Sequence, residues 1–190
     1  MISKKKKLEV LIEYFQRTMP QPKSELQYTD PFQLLVAVIL SAQCTDKRVN
    51  MVTPRLFEAF PNAEAMAQAT EEDVLEYIKS VSYPNSKAAH IVAAARKLVA
   101  DFAGEVPSTM EELTSLPGVG RKTANVVMAV VWNKPAFAVD THIFRVAHRL
   151  GLVSEKCSTP LAVETERYVC KSRNPLCETC ELKTVCNFKK

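Results

Sequence analysis

Long apolar runs are missing from this sequence. No stretch reaches the length of about 18 apolar residues that a membrane-crossing helix needs, so none is expected to span a bilayer. The cationic start MISKKKKLEV has no apolar segment behind it, so no signal peptide is expected, and the protein is expected to work in the cytoplasm. Alternating apolar and polar residues are also missing, as are internal repeats and low-complexity tracts, so the expected fold class is all-α. Glycine is scarce: there are four, and two of them, Gly118 and Gly120, share one corner. Cysteine is not scarce but is unevenly placed. Of six, Cys170, Cys177, Cys180 and Cys186 crowd the C-terminal end. Without a secretory signal, such a cluster favours a metal over disulfides.

The composition that is present is that of a folded protein. Of 190 residues, 47% are hydrophobic, enough for one or two small domains with a sizeable core. A net charge of +4 and a pI near 8.7 are mildly basic and compatible with a nucleic-acid partner.

Helical periodicity orders the chain. Leu8, Leu11, Ile12 and Phe15 form one stripe, and Pro20 and Pro22 end that helix. The run Lys4 to Lys7 is read as a solvated helix start, with contact to DNA as the alternative. Asp30 is the expected N-cap of PFQLLVAVILSAQ, with Pro31 at the first helical position and Gln33 completing a box-like cap. That helix is apolar nearly all round, the mark of a buried central element. Pro54 is expected to break or kink the next helix. Asn62 and Thr70 are expected to cap the two after it. A loop SYPNS then precedes a long helix from about Lys87 to Phe102, stopped by Gly104. Ser108 with Glu111 reads as a capping box for a further helix. Another is expected over 158–169, and Cys44 is expected to be a small buried residue.

The chemistry concentrates between Leu116 and Val146. The corner Pro117-Gly118-Val119-Gly120 lies between two helical patterns. Glycine there allows positive φ and close backbone approach. A turn that exposes N–H groups at a helix start suits phosphate. The pattern therefore reads as a helix-hairpin-helix that grips a nucleic-acid backbone without reading bases. Arg121 and Lys122 open the helix that follows, which extends to about Trp132. Lys122 sits where the positive helix end disfavours its ammonium form, and a neutral amine is what Schiff-base chemistry needs. Asp140 precedes THIFRVAHRLG and is a plausible N-cap whose carboxylate stays ionised.

LPGVGRKTAN followed by VDTHIFRV resembles the endonuclease III family, DNA glycosylases with lyase activity in base-excision repair. SAQCTDKRVN resembles it too. The resemblance runs from about Leu8 to Lys190. It implies that Lys122 is the catalytic lysine and Asp140 the catalytic aspartate. It further implies that Gln43 fills the space left by a flipped nucleotide and that Tyr83 stands where the family wedges an apolar residue into the base stack. Gly118, Gly120, Arg121 and Thr141 are the implied DNA contacts. The implied partner is duplex DNA with damaged bases or abasic sites, and the implied state is a monomer.

Four thiolates can hold a [4Fe–4S] cube or a tetrahedral zinc. The spacing C-x6-C-x2-C-x5-C over Cys170, Cys177, Cys180 and Cys186 is that of the endonuclease III cluster, so the resemblance implies iron–sulfur. It implies two domains: a helical barrel over 24–134 containing the hairpin at 108–132, and a second helical domain from 1–23 with 135–190 and the cluster loop at 170–186. The chain departs from the family after Glu166, where RYVC follows directly and a further helix of the family is absent. If the chain is continuous there, that shortening is expected to weaken the cluster region; if further residues belong between Glu166 and Arg167, a stable cluster is expected. Two other readings are compatible with a hairpin. An adenine-mismatch glycosylase would lack a lysine at position 122 and carry a glutamate on the central helix, which here reads LLVAVIL. A non-catalytic hairpin module would have no need of Lys122 with Asp140.

Overall fold

A computed structural model describes residues 3–20, 24–136, 138, 141–152, 177, 178, 184 and 186. Among them are nine α-helices and no strand, as an all-α fold requires. They are α1 (Lys4–Thr18), α2 (Pro31–Ser41), α3 (Asp46–Ala59), α4 (Ala63–Gln68), α5 (Glu71–Ile78), α6 (Pro84–Phe102), α7 (Met110–Thr114), α8 (Arg121–Trp132) and α9 (Thr141–Leu150). None is long and apolar enough to cross a membrane. The chain divides into two compact units, Ser24–Ala138 and Met1–Lys23 with Val139–Lys190.

In the unit Ser24–Ala138 the core forms around α2. Phe32 and the run Leu34 to Leu40 are all buried, which is why this helix has no polar face. It packs on α3 and α8 and touches α6, while α6 covers α4 and α5. Truncating Leu34, Leu35 or Leu40 to alanine would cost about 2–5 kcal/mol each, because such a site cannot collapse around the void.

Short polar side chains start most of these helices. Asp30 accepts a hydrogen bond from Gln33 N–H at 2.9 Å, and the Gln33 side chain accepts one from Thr29 N–H. Asn62 caps α4, and Thr70 with Asp73 forms a full capping box on α5. The expected box of Ser108 with Glu111 is displaced by one residue. Thr109 is the cap of α7 and accepts from Glu112 N–H, leaving Ser108 to accept from Lys134 Nζ. Pro54 does not break α3, which runs through it from Asp46 to Ala59. The long helix α6 starts three residues before its expected start, at Pro84. Proline is preorganised for the first helical position, so part of SYPNS belongs to the helix. Ala103 as well as Gly104 takes the left-handed conformation at its end.

In the unit of Met1–Lys23 with Val139–Lys190, Leu11 and Tyr14 of α1 are buried with Val146 and Leu150 of α9. Leu8 and Ile12, placed on the buried stripe by periodicity, are 41% and 55% exposed. The inward face is turned instead toward Lys7, which is buried and donates from Nζ to Leu150 O at 2.7 Å. The ammonium meets an orphan carbonyl at the negative end of α9 and is not a solvated charge. The expected helix over 158–169 and the shortened segment after Glu166 lie outside the described residues.

Candidate functional site

Two helices among α1 to α8 have no side-chain cap: α6, preceded by Tyr83, and α8, preceded by Gly120. The first-turn N–H groups of α8 are therefore not taken by a side chain, which is the condition for binding an external anion. The turn ahead of α8 is pinned from below. Leu113, Leu116 and Val119 are buried, and Val119 N–H donates to Leu116 O at 3.1 Å. Lys134 donates from Nζ to Ser108 O at 2.5 Å, tying the end of α8 to the approach to α7. Gly118 and Gly120 are left exposed.

The two glycines are required for different reasons. Gly118 has φ +76°, and a Cβ there would lie 2.8 Å from the Cβ of His90 on α6. Both its conformation and its neighbour exclude a side chain. Gly120 has an ordinary φ of −86°, and a Cβ on it would meet nothing within 4 Å. Nothing among the described residues requires glycine there. What an absent side chain leaves open is the space in front of the free N–H groups of α8.

Arg121 and Lys122 occupy the first turn of α8, and both are exposed. The bounds of α8 are those read from the sequence, with Ala124 and Val127 fully buried and Val131 half-buried. Thr141 opens α9 and is exposed. Asp140 lies outside the described residues.

Gln43 and Tyr83 sit on neighbouring loops of the same unit. Gln43 follows α2 and Tyr83 precedes α6; both are exposed, Tyr83 at 65%. Ser82 Oγ donates to Gln43 O at 2.7 Å, which joins the two loops directly. Beneath them Lys87 is buried and donates to Leu40 O and Ala42 O. Burial pushes the Lys87 ammonium below its ordinary pKa, while the nearby Cys44 acts in the opposite direction. Cys44 is half-buried against the core, more open than its expected place. Neither Lys87 nor Ser82 stands out in the sequence as a functional residue. The available signal was periodic: Lys87 lies one turn before Ile91 and two before Ala95, on the buried stripe of α6.

Of the four clustered cysteines, Cys177 and Cys186 are described, both as free thiols. Cys186 packs against the α1–α9 core, with its Sγ 3.6 Å from Arg149 O. Cys170 and Cys180 lie outside the described residues. No group of three or more metal-ligating side chains occurs among the described residues.

Comparison with known proteins fixes the class. Residues 36–172 match the HhH-GPD superfamily of base excision DNA repair proteins. Endonuclease III of Rickettsia conorii is 42% identical, over 94% of this chain and 94% of that protein. Endonuclease III of Escherichia coli is 39% identical, over 99% of this chain and 98% of that protein. A solved structure of a trapped endonuclease III–DNA covalent intermediate is 36% identical and superposes with a TM-score of 0.88, over 98% of this chain and 96% of that one. The chain belongs to the HhH-GPD superfamily and, within it, to the endonuclease III family: it is a DNA glycosylase and abasic-site lyase of base-excision repair. The E. coli alignment is 207 positions long, whereas 99% of 190 residues is about 188, so about 19 aligned positions have no residue in this chain.

Proposed function

We propose that this enzyme removes oxidised or ring-damaged pyrimidines from duplex DNA and cleaves the strand 3′ to the resulting abasic site. The observation that carries this reading is an exposed Lys122 in the first turn of α8, directly behind a helix start with no side-chain cap. The hairpin N–H groups would hold a backbone phosphate, with Arg121 and Thr141 as further contacts. The base must leave the stack for its bond to the sugar to be reached. Gln43 would fill the space it vacates and Tyr83 would wedge the neighbouring bases apart. A relative of this chain was trapped as a covalent intermediate with DNA, which supports a nucleophile in the protein.

The Lys122 amine attacks C1′ of the damaged nucleotide. The bond from C1′ to the base breaks, and the base leaves with the electron pair and takes up a proton. Opening of the sugar ring gives an iminium between Lys122 and C1′. Loss of a proton from C2′ then expels the 3′ phosphate by β-elimination. Asp140 would stabilise positive charge on the sugar and assist proton transfer.

The donor set fits an iron–sulfur cluster. Cys177 and Cys186 carry unpaired thiols, and with Cys170 and Cys180 the chain supplies the four that a [4Fe–4S] cube takes. Bound there, the cluster would pin the C-terminal loop, and none of the steps above uses it. With the cluster loop, the second helical domain is 1–23 plus 135–190, and the barrel with its hairpin is 24–134. The enzyme is read as a cytoplasmic monomer acting on DNA.

Borohydride trapping on a duplex with an abasic site or thymine glycol tests the reading. The wild-type chain should form a covalent adduct, and Lys122→Gln should form none while still binding DNA. Normal trapping by the variant would sink the assignment.

A further inference from the structure

The two residues that this reading places inside the duplex share an unusual backbone. Gln43 and Tyr83 are both left-handed, with φ of 53° and 54°. A non-glycine residue is strained there and stays only when its surroundings hold it. Those surroundings are two side chains. Ser82 Oγ donates to the carbonyl of Gln43 itself at 2.7 Å. Lys87 Nζ donates at 2.7 Å to Leu40 O and at 2.7 Å to Ala42 O, two of the three carbonyls that precede Gln43. Lys87 is also one helical turn beyond Tyr83, and its N–H donates to Tyr83 O at 3.1 Å. The strained residue of each loop is thus bonded to the other loop or to the helix that carries it.

A lysine is a costly choice for this position. It is 5% exposed and lies on the stripe that Ala88, Ile91 and Ala95 bury, where methionine or leucine would pack without desolvating a charge. Packing alone does not select it. Two carbonyls at the negative end of α2 do, because only a multiple donor can meet both.

We propose that Lys87 and Ser82 are positioning residues that lock Gln43 and Tyr83 into one insertion unit, so that both side chains enter the duplex together. This rests on the reading that Gln43 and Tyr83 enter the DNA. The lock stores the strained conformations before DNA arrives, and the enzyme does not have to create them while it opens the stack.

The test uses the full chain and a duplex carrying 2-aminopurine opposite a tetrahydrofuran abasic-site analogue. Its fluorescence rises when the probe base is unstacked. Ser82→Ala should fold normally, bind undamaged duplex as wild type does, and slow the fluorescence rise by about tenfold, since misplacing positioned groups can cost up to ~10²-fold. Lys87→Met should slow it further. Ser82→Ala should add no slowing to a Gln43→Ala/Tyr83→Ala background, because Ser82 acts through those two side chains. A stability role would shift melting without this coupling. Wild-type rates in Ser82→Ala with a slowed Gln43→Ala, or further slowing by Ser82→Ala in the Gln43→Ala/Tyr83→Ala background, would overturn the lock. Wild-type rates in both Gln43→Ala and Tyr83→Ala would overturn the underlying reading, and the lock with it.

Discussion

The hairpin turn and the lip formed by residues 40–43 with 82–87 both present unusual backbone at the surface, by opposite means. At the hairpin the left-handed position is a glycine, Gly118, and the surface offered is bare N–H. At the lip such positions are Gln43 and Tyr83, large side chains in a conformation that glycine would adopt without strain. Phosphate is recognised by main-chain donors, so a side chain there is an obstruction. Entering a base stack needs bulk, so the strain is kept and held by hydrogen bonds from Ser82 and Lys87. One surface would position the duplex and the other would open it.

The charge of Asp140 should serve neither grip nor opening. Asp140→Asn should lower single-turnover base release about 10²–10³-fold, since stabilising the charge that develops in a transition state commonly contributes more to the rate than any other effect. Affinity for undamaged duplex and the 2-aminopurine signal should not change. Activity within threefold of wild type would leave Asp140 as a helix cap only.

Gly120→Asp sharpens the hairpin side. The position is extended, at φ −86° and ψ 173°, and open, so an aspartate fits as a helix cap. Thermal stability should hold or rise slightly. Affinity for any duplex should fall about tenfold or more, because the carboxylate takes the N–H groups and opposes phosphate. Unchanged affinity in a chemical-shift or filter-binding titration would show that this helix start is not a phosphate site.

Gly118→Ala should act on folding first. Its φ of +76° and the 2.8 Å approach to His90 Cβ should together cost about 2 kcal/mol in denaturant unfolding. His90→Ala would not relieve it, since the nearest atom is Cβ. A neutral Gly118→Ala would mean that the turn can shift without cost.

The smallest effect lies away from both surfaces. Hydrogen bonds from the backbone N–H and the hydroxyl of Thr70 hold the Asp73 carboxyl below its ordinary 3.8. A lowered folded-state pKa stabilises the protein above that value, and the gain is lost as pH falls below it. Thr70→Ala keeps the larger backbone bond and loses only the hydroxyl, so it should shrink this acid-side loss in a pH series of unfolding curves, whereas Asp73→Asn should abolish it, with DNA grip unchanged at neutral pH in both.

What was legible in the sequence was local. Caps at Asp30, Asn62 and Thr70 and the bounds of α8 follow from neighbours within one turn. What was not legible depends on tertiary partners. Leu8 and Ile12 lie on a valid helical stripe, but α1 turns Lys7, Leu11 and Tyr14 inward because α9 offers Leu150 O and Val146. Pro54 reads as a breaker, yet α3 continues through it. At the site, the glycines and Lys122 announced themselves through the turn pattern and the family motif. Lys87 did not, because a charged residue near a helix start ordinarily reads as solvated. The left-handed geometry of Gln43 and Tyr83 has no signal in residue type, since neither is the glycine or asparagine that usually marks it.

The division of labour between hairpin and lip is tested most directly by one ratio: affinity for an abasic-analogue duplex over affinity for the same duplex undamaged, at fixed salt. Gly120→Asp should weaken both affinities by the same factor and leave the ratio at its wild-type value. Gln43→Ala should leave undamaged affinity intact and collapse the ratio toward one. A ratio that falls in Gly120→Asp, or that survives in Gln43→Ala, would contradict the assignment of grip to one surface and opening to the other.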